Sequence, residues 1–309
     1  MLLRVGISPP GVPQRTKLGP WLFLVLINDL EINNAENIWK YVDDTTTSEI
    51  VVKGASSNSQ FIAVTVMQWS FENRVKLNSE KCKELRISFA NSLRGRRSKG
   101  KGKGKGIRAR DHARGAKNKP QLAPIVVNNQ ELECVESAKL LGVTISNNLT
   151  WNMHIDQIIK KASKRMHFLI QLKRANVARH ELILFYTSCI RSVMTYASPA
   201  FFYALPLYLR KDLENVEKRA LSIICPGLAY RKALEVSNIM SINDYITSLC
   251  KETFLSIAND PAHRLHNMLQ SSGPSSYNLR CEGRFAIPKC KTKRFKNSFL
   301  VRSCTDNEF

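Results

Sequence analysis

What this chain of 309 residues lacks narrows it first. No apolar run approaches the roughly 18 residues that a membrane helix needs. The longest runs from Trp21 to Ile27 and is stopped by Asn28 and Asp29. Basic residues precede it. Yet it sits at the short end of the about 7–15 residues of a signal-peptide core, and no small-residue cleavage site follows. A secretory leader is therefore not expected. None of the eight cysteines lies in a C-x-x-C pair, and no Cys/His group has zinc-finger spacing. Cys189 and Cys250 fall in helix-like apolar patterns, so reduced thiols in a cytoplasmic or nuclear, non-secreted protein are expected. No internal repeat is visible. Acids are scarce, 25 against 47 Lys and Arg, and the formal net charge is +22. A balance this basic points to a polyanion, nucleic acid or an acidic membrane face.

Enough remains to build a core: 43% of residues are apolar and 23% are charged, which excludes global disorder. The charge is uneven. Ser92 to Lys119 holds twelve basic residues and one acid, Asp111, a net of +11, half of the whole excess. Its Gly/Lys alternation cannot bury a core, so residues 92–119 are expected to be a disordered basic insertion.

Around that segment the pattern divides. Residues 1–91 read as helix over Leu18–Leu30, with Pro20 near its start, then as two β-prone stretches, Ile38–Val42 and Thr45–Val52. Asp43 and Asp44 lie between those stretches, at a hairpin tip. A helix over Ser59–Leu77 and a strand over Glu84–Phe89 follow. Residues 120–150 suggest short strands at Ile125–Val127, Leu132–Cys134 and Leu140–Ile145. Residues 151–270 are helical. Ile155, Ile158, Ile159, Ala162, Met166, Leu169 and Leu172 form one apolar stripe, backed by Lys160, Lys161, Lys164, Arg165 and Lys173. Leu182 to Ala197, Leu209 to Ile224 and Ile242 to Ala258 mark three further helices. In the basic tail, residues 271–309, no firm structure is expected.

Two adjacent carboxylates on a hairpin tip suit hard divalent cations, which take oxygen ligands. Acids also fill ordinary turns, so the surrounding motifs matter. Gly11-Val-Pro-Gln14, Lys17-Leu-Gly-Pro20 and Phe23 to Leu30 together resemble the template- and nucleotide-facing motif of reverse transcriptases. Tyr41-Val-Asp-Asp44 resembles their catalytic hairpin at the expected spacing. Asn78 with Lys81 resembles the next palm motif, and Leu140-Leu-Gly-Val143 with Leu149-Thr-Trp151 is similar to the primer-grip region. The ordered set resembles the non-LTR retrotransposon branch, from Gly11 to about Ala200.

That resemblance implies an α+β fold: a partial polymerase palm of antiparallel strands with packed helices, then an α-helical thumb-like region. It implies RNA-directed DNA synthesis on an RNA template and DNA primer, with deoxynucleotides and two Mg²⁺ ions. Asp43 and Asp44 would be catalytic metal ligands, and Lys81 an acid for the departing pyrophosphate. Tyr41 would lie near the primer end, and Gly11 and Gln14 would face template and incoming nucleotide. The basic helix faces would track phosphates without reading sequence.

The chain also departs from the family. The ten residues before Gly11 hold no acid, where the family has a further palm aspartate. Arg15 stands where the family has glycine, and the Gly/Lys segment separates a palm strand from the primer grip. That segment reads as inserted sequence or as a basic arm or nuclear-localisation patch. Purified residues 1–309 are accordingly expected to extend a primer negligibly, and the alternative reading is a catalytically inactive nucleic-acid-binding remnant.

Overall fold

The computed structural model describes residues 2–4, 17–31, 37–52, 54–88, 122–269 and 285–306. Gly11, Gln14, Arg15, the segment 92–119 and most of the tail's first half lie outside the described residues. The chain forms two compact units, Met1–Thr150 and Trp151–Phe309. Among the described residues no helix is long and apolar enough to cross a membrane.

In the first unit α1 (Gly19–Asn28) opens with Pro20, whose missing N–H would be unsatisfied at that position anyway. α2 (Ser59–Glu72) buries Ile62, Ala63, Val66 and Trp69, a stripe at helical spacing. It stops earlier than Leu77 because Arg74 turns into the left-handed region (φ 55) and Ser70 Oγ donates back to Val75 O. The strands are β1 (Leu2–Arg4), β2 (Asn37–Tyr41), β3 (Asp44–Ser48), β4 (Lys83–Leu85), β5 (Val126–Val127), β6 (Gln130–Glu131), β7 (Glu133–Val135), β8 (Ser137–Leu140) and β9 (Val143–Ser146).

Five of these strands form one sheet in the order β2-β3-β1-β4-β7. β1 runs antiparallel to both β3 and β4, but β4 and β7 are parallel. Antiparallel strands were expected, and the β4–β7 pair departs from that. The long excursion between β4 and β7 supplies the crossover that a parallel pair requires. Leu140–Ile145, expected as one strand, is instead the corner of the β8–β9 hairpin. Leu141 and Gly142 both take positive φ (45 and 89), the signature of a two-residue turn whose twist matches its strands. Gln60 docks α2 on β5 through its amide, which donates to Val126 O (3.1 Å) and accepts from Val126 N (2.7 Å). Ile27, Leu30, Ile62, Val66, Val75 and Ile125 meet in the core of this unit.

The second unit is helical: α3 (Asn152–Arg174), α4 (Arg179–Phe185), a π-helical segment (Tyr186–Arg191), α5 (Ser192–Thr195), α6 (Leu207–Ile224), α7 (Tyr230–Ser237) and α8 (Ile242–Asn259). Two further helices, α9 (Lys293–Lys296) and α10 (Phe299–Asp306), lie in the tail where no firm structure was expected. Their local pattern is weak, and packing decides the matter: Val301 is buried and Phe299 stacks on Tyr203. α3 turns the predicted stripe inward and carries Lys160, Lys161 and Lys164 on its exposed face.

One buried carboxylate organises the α6, α7 and α8 junction. Glu217 is 0% exposed and accepts hydrogen bonds from Tyr186 Oη (2.8 Å), Tyr230 Oη (2.7 Å) and the Ile242 amide that opens α8 (2.7 Å). Burial, reinforced by this carboxylate, raises both tyrosine hydroxyls well above their ordinary range. The described cysteines are all free thiols, as expected.

Candidate functional site

The hairpin of β2 and β3 holds the residues that the sequence singled out. Its register runs from Asn37↔Ser48 to Tyr41↔Asp44, so the loop is two residues, Val42 and Asp43. Asp44 was expected in the tip with Asp43. It is instead the first residue of β3, because its pairing with Tyr41 closes the loop. Asp43 is exposed, Asp44 is half-buried, and Tyr41 stands exposed beside them. Val42 occupies the left-handed region at φ 52. A β-branched side chain there costs about 1–2 kcal/mol, and such strain persists only where the surroundings over-determine it.

Two ties supply that over-determination, and sequence reading missed both. Lys40, on β2, donates from Nζ to Ile27 O and Asn28 O, both at 3.0 Å, and so caps the carbonyl end of α1. A cation suits that end of a helix. Burial lowers the Lys40 pKa from its ordinary value, against the raising influence of Glu31 and Asp29. On the other arm, Glu49 follows β3 and accepts from the Asn58 amide (2.8 Å), from Ser59 Oγ (2.6 Å) and from Ser57 Oγ, at the start of α2. Burial opposes the Glu49 charge, but these donors outweigh it and hold the carboxyl below the usual range. The hairpin therefore hangs between the end of one helix and the start of another. The helix over Ser59–Leu77 was expected, but nothing in the spacing tied Glu49 to its start.

Lys81 is exposed in the turn before β4, its amide bonded to Asn78 Oδ1 (3.2 Å). Leu2 pairs with Thr46 on one side and with Lys83 on the other. Continuing that register brings the turn of Lys81 towards the same end of the sheet as Asp44, roughly 10 Å off across two strand spacings. The structure thus gathers Tyr41, Asp43 and Asp44 at one end of the hairpin. On β1 the residue at the register opposite Asp44 is Arg4.

At this end of the hairpin Asp43 and Asp44 are the side chains that could offer a hard cation the oxygen ligands it takes. Among the described residues no group of three or more His, Cys, Asp or Glu side chains is placed to hold a metal. The basic face of α3 is also thinner than expected. Arg165 bonds Cys189 O, and Lys173 reaches Ile224 O at 3.4 Å, where it caps α6. Lys160, Lys161 and Lys164 remain exposed.

The RNA-directed DNA polymerase from mobile element jockey of Drosophila melanogaster is 26% identical over 212 residues, covering 64% of this chain and 19% of that protein. The polymerase of the same name from Drosophila funebris is 22% identical over 212 residues, with the same coverage. This chain is distantly related to RNA-directed DNA polymerases. It spans about a fifth of the length of those relatives. A family model described as the N-terminal region of alkylated DNA repair protein alkB homolog 8 matches residues 151–192, from Trp151 through the π segment, and leaves the carboxylate hairpin untouched. No solved structure matches.

Proposed function

We propose that this chain is a palm and thumb-like segment of a non-LTR retrotransposon reverse transcriptase. The observation that carries the reading is the hairpin, with two carboxylates and an exposed tyrosine at its end, in a chain whose matched relatives are RNA-directed DNA polymerases. Asp43, in the loop, would be the main Mg²⁺ ligand, and Asp44, held in β3, its neighbour. When bound, the ion would neutralise charge on the reacting phosphoryl oxygens and favour a 3′-hydroxyl as nucleophile. Tyr41 would flank the primer end, and the ties of Lys40 and Glu49 would keep the hairpin from drifting as template and primer dock. Lys81 would serve the departing pyrophosphate. Gly11 and Gln14 would face template and deoxynucleotide. An RNA template and a DNA primer would be the partners, tracked by exposed lysines of α3, in the cytoplasm or the nucleus.

A second reading, an inactive nucleic-acid-binding remnant, is favoured by one specific observation: no third acid joins Asp43 and Asp44 among the described residues, and the neighbouring register position on β1 is arginine. One experiment tests the first reading and separates it from the second. Residues 1–309 are mixed with primed RNA, deoxynucleotides and Mn²⁺ as a paramagnetic stand-in. Bound Mn²⁺ is counted by electron paramagnetic resonance, and primer extension is followed with Mg²⁺. Mn²⁺ bound in the wild type and lost in Asp43→Asn is the expected result, with negligible extension. Metal binding indifferent to Asp43→Asn overturns the polymerase reading. Extension that vanishes in Asp43→Ala overturns the remnant instead.

A further inference from the structure

Within the unbroken helical run from α4 to α5, the chain takes π-helical form over Tyr186–Arg191. A π turn inserts a residue into the helical ladder, re-aims the side chains beyond it and occurs disproportionately at functional sites. Here it borders a cavity of about 200 Å³ lined by Thr187, Arg191, Ser192, Thr195 and Tyr245. That is smaller than the about 300–1,000 Å³ of pockets that enclose drug-sized ligands. The space suits one compact group.

Arg191 is 5% exposed. Its Nη2 donates to Met240 O (2.8 Å) and Ser241 O (3.2 Å), and its guanidinium lies 4.2 Å above the Tyr245 ring, which fixes its plane. Nε is enclosed without a partner, and Nη1 bonds no described residue. No described carboxylate makes an ion pair with this guanidinium. The two nearby acids are engaged elsewhere: Glu217 takes three donors and Asp244 accepts from Ser241 Oγ (2.6 Å), and neither lines the cavity. The hydroxyls of Thr187 and Ser192 are committed to carbonyls of the preceding turn. Those of Thr195 and Tyr245 bond no described residue. A buried guanidinium with an unpartnered N–H is costly, and an acceptor entering the cavity offsets that cost. Arginine is the side chain best matched to phosphate oxygens, through its planar fork of donors.

We propose that this cavity is a binding site for a single phosphoryl group. Arg191 Nη1, Thr195 Oγ1 and Tyr245 Oη donate to its oxygens, and the stacked tyrosine ring holds the guanidinium in place. The group is either inorganic phosphate or one phosphate of a nucleic-acid backbone. In the latter case the site extends the polymerase reading, but it does not depend on the carboxylate hairpin.

The test uses the whole chain, inorganic phosphate followed by ³¹P NMR, and a labelled RNA·DNA hybrid followed by fluorescence anisotropy. The variants are Thr195→Val, Tyr245→Phe, which keeps the ring, and Arg191→Lys, which keeps the charge but loses the fork. Each is expected to weaken phosphate binding about tenfold, the value of one hydrogen bond to a charged group. The melting temperatures of the first two should not change, so a failure of Arg191→Lys to fold leaves the question decidable. Loss of phosphate and hybrid binding together, with phosphate competing against the hybrid, supports the site and assigns it to a backbone phosphate. Loss of phosphate binding alone supports the site and assigns it to the free ion. Phosphate binding unchanged in both Thr195→Val and Tyr245→Phe overturns the proposal, whatever the metal experiment on Asp43 shows.

Discussion

In the second unit Leu213, Ala220, Ile224, Ile246 and Phe254 are wholly enclosed, whereas in the first Trp21, Ile50 and Phe71 stand 68%, 79% and 86% exposed. The contrast follows from element length. Helices such as α3 and α6 present several turns of apolar stripe to one another and bury a continuous core. Strands of two to five residues cannot do so. The first unit adds to its smaller core side chains that grip the ends of elements: Lys40 on α1, Glu49 on α2, Gln60 on β5. Arg86 is a fourth. It donates to both oxygens of Glu84 and to Leu122 O (3.0 Å) and Ala123 O (3.1 Å), closing the stem of the Gly/Lys excursion. One unit rests on a continuous helical core and the other on a smaller core reinforced by a few directed bonds, and the candidate chemistry sits on the second kind.

The comparison breaks most visibly at Glu217. Glu217→Leu strands two tyrosine hydroxyls and the first amide of α8, and should remove about 3 kcal/mol from the helical unit. Urea unfolding should show that unit's transition moving while the first unit's stays. A common shift of both would mean the two do not unfold separately. A smaller effect is expected at Lys40→Met, which frees the last carbonyls of α1 and should cost the first unit about 1 kcal/mol. Amide exchange should quicken in α1 and β2 and remain unchanged in α6. The smallest effect is expected from deleting residues 92–119. Arg86 already holds the stem together, and loop length enters stability only logarithmically, so the change should stay within about 0.5 kcal/mol. Binding of an RNA·DNA hybrid should weaken and lose part of its salt dependence, because twelve of the chain's basic residues go with the segment. Unfolding of the first unit on deletion would show the segment to be structural.

Local pattern carried far in some places and failed in others. The Asp43-Asp44 hairpin was legible because β-prone residues flank a short acidic break. α3, α6 and α8 were legible because their apolar spacing spans several turns. The β8–β9 corner was misread because Leu140 to Ile145 is a continuous β-prone run, and only the positive φ of Leu141 and Gly142 reveals the reversal. α7 and α10 escaped notice because eight residues carry too few periods to stand out. The caps by Lys40 and Glu49 were invisible, since each partner lies 8–13 residues away with no periodic signal to connect them.

The sequence by itself determined the basic balance, the helical second half and the acidic hairpin. All of these rest on composition or on contacts between near neighbours. Only the tertiary structure decided that β4 and β7 run parallel, that the hairpin hangs between α1 and α2, and that Glu217 gathers three helices. Only it enclosed Arg191 in a cavity with a donor to spare. These features join residues distant in sequence, and which distant groups meet is settled by how the elements pack.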